Sequence, residues 1–99
     1  MLVIGGHIRL DPEKRDAAIA AATEMMAATH QEEGCVSYVF SADFADAGLF
    51  HLFEEWETAE HLAAHGQTEH MATFQAKMAD FGITERTLHV YECSSKKQL

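Results

Sequence analysis

Four side chains between positions 54 and 70 could do chemistry together: Glu54, Trp56, His65 and His70. Two-residue alternation along a strand ending at Trp56 puts Phe50, Leu52, Glu54 and Trp56 on one face. A carboxylate held among apolar neighbours has a raised pKa and suits proton transfer, and an indole offers a flat wall and one N–H donor. The competing reading is an ion-paired Glu54 and a Trp56 that only packs. On a helix starting at Thr58, His65 borders the buried stripe of Ala59, Leu62 and Ala63, while His61 points more to solvent. His70 falls in the first turn after Thr68, where the helix dipole disfavours an imidazolium and keeps the ring neutral. Either His65 or His70 could act as a base, or could simply tie two helices together. His61 and His65 have the i,i+4 spacing of a metal pair. With no Cys or carboxylate ligand fixed nearby, no metal site is expected.

The elements that must position these groups follow from local signals. Residues 2–10 read as a strand, and Asp11-Pro12-Glu13 opens a helix over about 12–32, with Gly34 as its left-handed stop. Its stripe is Ala18, Ile19, Ala22, Met25, Met26 and Thr29. Residues 35–40 and 49–53 form a hairpin around the turn-rich stretch 43–48. Thr58 starts a short helix that Gly66 interrupts, and Thr68 starts a second piece carrying Met71, Phe74, Met78 and Phe81 up to Gly82. The last strand, 83–93, sets Arg86, Leu88 and Val90 against Glu85, Thr87, His89 and Tyr91, and 94–99 is a frayed tail. Within strand one, Gly5-Gly6 is costly unless something needs the room. Gly6 shares a face with Ile4 and Ile8 and could open space beneath the helices for a substrate, the other reading being a β-bulge. His7, His51 and His89 carry no assignment.

The β-α-β-β-α-β order makes residues 1–93 a single α+β domain of ferredoxin-like fold, an antiparallel sheet with helices on one face. Ninety-nine residues leave no element to cover the other face. Both faces carry large apolar residues, Phe50 and Leu52 opposite Leu49 and Phe53 on strand three, and Val36, Tyr38 and Phe40 opposite Val39 on strand two. A two-fold copy would bury the uncovered face and close an eight-stranded, barrel-like homodimer. The net charge of −9 argues against nucleic acid. No apolar run approaches a membrane span, and the N-terminal residues lack a basic leader region, so no membrane partner and a cytoplasmic location are expected. Cys35 and Cys93 show no metal or redox spacing and read as buried thiols rather than a disulfide.

Three stretches carry a wider resemblance: Gly34-Cys35 entering strand two, Leu52-Phe53-Glu54-Glu55-Trp56-Glu57, and His65-Gly66-Gln67-Thr68-Glu69-His70. In this order they resemble the antibiotic biosynthesis monooxygenase (ABM) family of dimeric α+β barrels, across essentially the whole chain. The resemblance implies a cofactor-independent monooxygenase, with no flavin, haem or metal, in which an electron-rich hydroxyarene reduces O2 directly. His65 or His70 would then be the base, Glu54 a proton relay, and Trp56, Leu52, Phe50 and Gly6 the substrate-binding side. The chain contains no Asn. The haem-degrading branch and some polyketide-oxidising members rely on an Asn, and Leu52 stands four residues before Trp56 where a polar group would be expected. A small quinol or hydroxyarene substrate fits this pattern better. The alternatives are an isomerase of a small metabolite on the same fold and a noncatalytic dimeric module binding aromatic metabolites.

Overall fold

The structure is a computed structural model describing residues 1–99. Strand β1 (Leu2–Arg9) leads through a 3-10 turn at Pro12–Lys14 into helix α1 (Arg15–Thr29). The hairpin β2 (Cys35–Ala42) and β3 (Leu49–Trp56) follows, then α2 (Ala59–His65), α3 (Glu69–Met78) and β4 (Glu85–Glu92). The strands form one antiparallel sheet in the order β2-β3-β1-β4, an α+β, ferredoxin-like arrangement.

The expected signals act at these boundaries. The Asp11 carboxylate accepts the Glu13 N–H, and the Thr58 and Thr68 hydroxyls accept the His61 and Met71 N–H groups. Gly34 and Gly82 adopt positive φ angles of 80° and 66°, a left-handed backbone that disfavours side chains, but they turn the chain after the helices instead of stopping them, since α1 and α3 end at the αR caps His30 and Ala79. At Gly34 a Cβ would also run into the His61 ring.

Three further expectations are corrected. Helix α1 ends at Thr29 rather than 32, because the apolar repeat stops there and 30–34 turn back toward the sheet. Its buried stripe is Ala18, Ala21, Ala22, Met25 and Thr29, spaced for one narrow face, and Ile19 sits off that face and is exposed. A register shift between Cys35 and Ser37 inserts Val36 as an extra residue, turning it away from the face of Tyr38 and Phe40 into solvent.

Register decides which side chains meet under the helices. Tyr38 lies opposite Glu54, which lies opposite Ile4, which lies opposite Val90. The next row is Phe40, Leu52, Gly6 and Leu88, and the third is Ala42, Phe50, Ile8 and Arg86. This face joins Met25, Phe74 and Phe81 in a single core. The opposite face is open, with Val39, Phe53 and Tyr91 each about half exposed. The last residues stay outside strands and helices, and Lys96 reaches back to the Glu55 carboxylate at 2.7 Å.

Candidate active site

Between the helix-facing rows of the sheet and α2–α3 lies a cavity of about 690 Å³, bordered by Phe40, Leu52, Phe74 and Leu88 and opening along β4. Most of its lining is apolar. Its polar groups include Glu54 and His65 deep inside, and Gln75 and Arg86.

Glu54 is 5% exposed. Burial pushes its carboxyl above the usual carboxylate range, while the Trp56 N–H and nearby His65 pull the other way. The indole Nε1–H donates to Glu54 Oε1 at 2.9 Å, and Trp56 is fully buried. Across the register from Glu54, Tyr38 is also buried, and desolvation with the neighbouring carboxylates keeps it a neutral phenol.

His65 is the last residue of α2, and Gly66 caps the helix immediately after it. Its ring, 2% exposed, sits 4.8 Å from the Trp56 ring centroid and 5.4 Å from that of Tyr38. Nδ1 lies 2.7 Å from Glu32 Oε2. A carboxylate can only accept here, so a neutral His65 carries its proton on Nδ1 and keeps the lone pair on Nε2. That Nε2 is buried and has no hydrogen-bond partner. The Thr68 hydroxyl, while capping α3, donates to the His65 carbonyl at 2.8 Å and fixes the break between the helices. His70, in the first turn of α3, places Nε2 2.8 Å from the same Glu32 oxygen.

The N-terminal and central part of the chain, residues 1–77, matches the model of the antibiotic biosynthesis monooxygenase family. The chain belongs to that family. The ABM relatives include the "Probable quinol monooxygenase YgiN" of Escherichia coli K12, 31% identical over 84 residues, covering 75% of this chain and 81% of that protein. The "Putative monooxygenase YcnE" of Bacillus subtilis is 27% identical over 77 residues, covering 78% of this chain and 81% of the relative. Among solved structures, a conserved Bacteroides thetaiotaomicron protein described as a possible oxidoreductase is 30% identical, with a TM-score of 0.84 over 93% of this chain and 96% of the other. An ABM-type protein from Deinococcus radiodurans superposes with a TM-score of 0.90 over 100% of this chain and 98% of its own, at 20% identity, which speaks to the fold. The family and the printed names of these relatives are those of monooxygenases.

Within this ABM fold the expected site residues separate into groups. Glu54, Leu52 and His65 line the cavity together. Trp56 stands behind them, its N–H spent on Glu54, so it orients the carboxylate instead of offering a free donor to a ligand. Phe50 is buried beneath, in the core. His70 borders a separate depression between α1 and α3 and meets the site through Glu32 and through the His65 ring, 6.2 Å between centroids.

Gly6 opens no space. At φ 149° its Cβ would lie 1.8 Å from the Thr87 carbonyl oxygen, so the missing side chain lets β4 approach β1. Nor is there a bulge there, since its pairing runs unbroken to Leu52 and Leu88. His61 does not join His65 in a cluster: its Nδ1 lies 2.8 Å from the Thr58 hydroxyl and its ring packs against Gly34, while His65 turns inward to Glu32. His7 and His51 face one another across the open side of the sheet, bonded to Glu85 and Asp43. Cys35 and Cys93 are free and only half-buried.

Sequence reasoning missed Glu32, Tyr38 and Arg86 as site groups. Glu32 follows the end of α1, where no periodicity marks a direction, and its one available signal was its closeness to the Gly34 turn.

Proposed function

We propose that the chain oxidises a small quinol or hydroxyarene with O2 and uses no resident cofactor. The observation that carries this reading is the pairing, in one largely apolar cavity, of a lone-pair-bearing Nε2 on His65 with a Glu54 carboxyl whose burial raises its pKa. His65 Nε2 takes the phenolic proton, and Glu32 stabilises the imidazolium that results. The phenolate passes one electron to O2, and the aryl radical and superoxide recombine at a ring carbon. Glu54 protonates the peroxide so formed. Cleavage of the O–O bond, with loss of the carbon-bound hydrogen as a proton, leaves a quinone carbonyl and one water. One O2 thus yields one inserted oxygen atom and one H2O, the substrate supplying all the electrons. The dry walls of Phe40, Leu52 and Phe74 favour the neutral quinone and exclude bulk water.

The YgiN relative's printed name supports the quinol class. Two unpaired thiols suit a reducing, cytoplasmic setting. The open sheet face, with Val39, Phe53 and Tyr91, would pair with a second copy in a homodimer, and sedimentation equilibrium at micromolar concentration should give twice 11.0 kDa. A stable 11.0 kDa species would contradict the dimer. For the reaction, an oxygen electrode with a panel of quinols and naphthols should record uptake by the wild type. Uptake no greater than that of the Trp56→Phe, His65→Ala double variant would contradict it.

A further inference from the structure

We infer that Glu32, His65 and His70 form a binding site for one divalent transition-metal ion of the zinc class. The three groups come from the turn after α1, the end of α2 and the first turn of α3. One Glu32 oxygen lies 2.7 Å from His65 Nδ1 and 2.8 Å from His70 Nε2, and the three donor atoms all fall within 4.8 Å of one another. His65 and His70, five positions apart, would point in different directions on one continuous helix, about 500° of turn separating them. The break at Gly66 is what brings both rings onto the same carboxylate.

Charge adds a second observation. Glu32 has a side chain 13% exposed in a chain of net charge −9, and its only ion-pairing partners are these two histidines, with no Lys or Arg against it. Elsewhere Lys77 pairs with Glu24, Lys96 with Glu55, and Arg9 with Asp46 and Glu85. A divalent cation would neutralise this carboxylate where a lysine would otherwise be expected.

Two imidazoles and one carboxylate are a donor set for zinc-like ions and not for Ca²⁺ or Mg²⁺, which take oxygen ligands. His70, with a side chain 29% exposed, leaves an entrance and room for a water ligand. Metal binding needs a lone pair where each ring now donates an N–H. Both rings therefore switch tautomer, and the His65 proton moves to the buried Nε2 that has no partner. Small rotations of the partly exposed Glu32 and His70 then bring the donors to metal-bond length. With its proton on Nε2 and Glu32 engaged by the metal, His65 could not serve as the base of the oxidation proposed above, so the ion would inhibit that reaction; binding is therefore read with metal added and oxidation on the chelator-treated chain, and either claim can fail without the other.

The test uses the full-length, tag-free chain titrated with Zn²⁺ against a chromophoric chelator, and with Co²⁺ while its visible ligand-field absorption is followed. The expected result is one equivalent per chain, bound at roughly micromolar affinity or tighter. Since loss of a supporting outer-shell group alone costs about 10- to 100-fold in affinity, His70→Ala and Glu32→Gln should each weaken binding at least about tenfold. Circular dichroism confirms that both variants fold. The His7→Ala, His51→Ala double variant, which removes the exposed histidine pair, should bind as the wild type does. Absence of saturable binding, affinity unchanged in the folded His70→Ala variant, or loss of binding in the His7→Ala, His51→Ala variant would each overturn the site.

Discussion

Replacing Glu32 with Ala removes the one acceptor shared by His65 Nδ1 and His70 Nε2. The two losses are unequal. His70 is partly exposed, so water replaces its partner at little cost, whereas His65 is 2% exposed and is left with a buried, unpaired N–H. A hydrogen bond to a charged group contributes about 1.5 to 3 kcal/mol and a stranded buried donor costs about 1 to 3, which places the Glu32→Ala penalty near 3 kcal/mol. For a domain of this size each kcal/mol moves Tm by roughly 4 to 8 °C, so Tm should fall by about 12 to 24 °C. Glu32→Gln keeps an amide oxygen for His65 and should lose about half as much. His70→Ala, which spares the buried bond, should cost less than about 1 kcal/mol. Thermal unfolding followed by circular dichroism at one fixed protein concentration measures all three, since dimerisation makes Tm depend on concentration. A Glu32→Ala Tm within about 3 °C of wild type would refute the view that this carboxylate holds His65 in place.

Burial raises the Glu54 pKa, so the folded state holds that proton more firmly than the unfolded chain does. Its contribution to stability is full below the ordinary carboxylate range and is lost as pH rises through the folded value. Glu54→Gln keeps an acceptor for the Trp56 indole and cannot ionise, so its Tm should gain on wild type as pH rises out of the ordinary carboxylate range. An unchanged Tm difference would contradict this. Trp56→Phe removes the donor that lowers the Glu54 pKa, and pH profiles of kcat/KM should show the Glu54 limb moving to higher pH, where an unmoved limb would separate Trp56 from Glu54. Gly6→Ala drives a methyl into the Thr87 carbonyl and should cost more than about 3 kcal/mol, read as a lower urea midpoint, and a wild-type midpoint would show that β1 and β4 can separate cheaply.

Local chemistry announced the framework. Asp11, Thr58 and Thr68 carry cap side chains and Gly34 and Gly82 mark the left-handed turns that follow α1 and α3, so the order of elements could be read from residue types even though the helices end several residues before those glycines. Strand alternation likewise gave the shared face of Leu52 and Glu54, and helix spacing put His65 at the buried edge. What stayed hidden depends on register and on turns. Tyr38 meets Glu54 only because β2 and β3 pair with a one-residue shift near Val36, which no periodicity encodes. Trp56 was legible as an aromatic beside Glu54, but not as a group whose N–H is already engaged. Glu32 lies in a turn, and its approach to two histidines from separate helices is a tertiary event. Gly6 was rightly suspect as a strand glycine, yet the crowding came from the neighbouring backbone and not from a ligand.

Isotope labelling tests the oxidation most directly. The chelator-treated chain would be incubated with a naphthol or quinol substrate under ¹⁸O2, and product and water analysed by mass spectrometry. Incorporation of one ¹⁸O atom into the quinone, with the second recovered in water and one O2 consumed per turnover, is the expected result. Turnover that continues under argon, or product whose new oxygen comes from solvent, would contradict a monooxygenase reaction in the Glu54–His65 cavity.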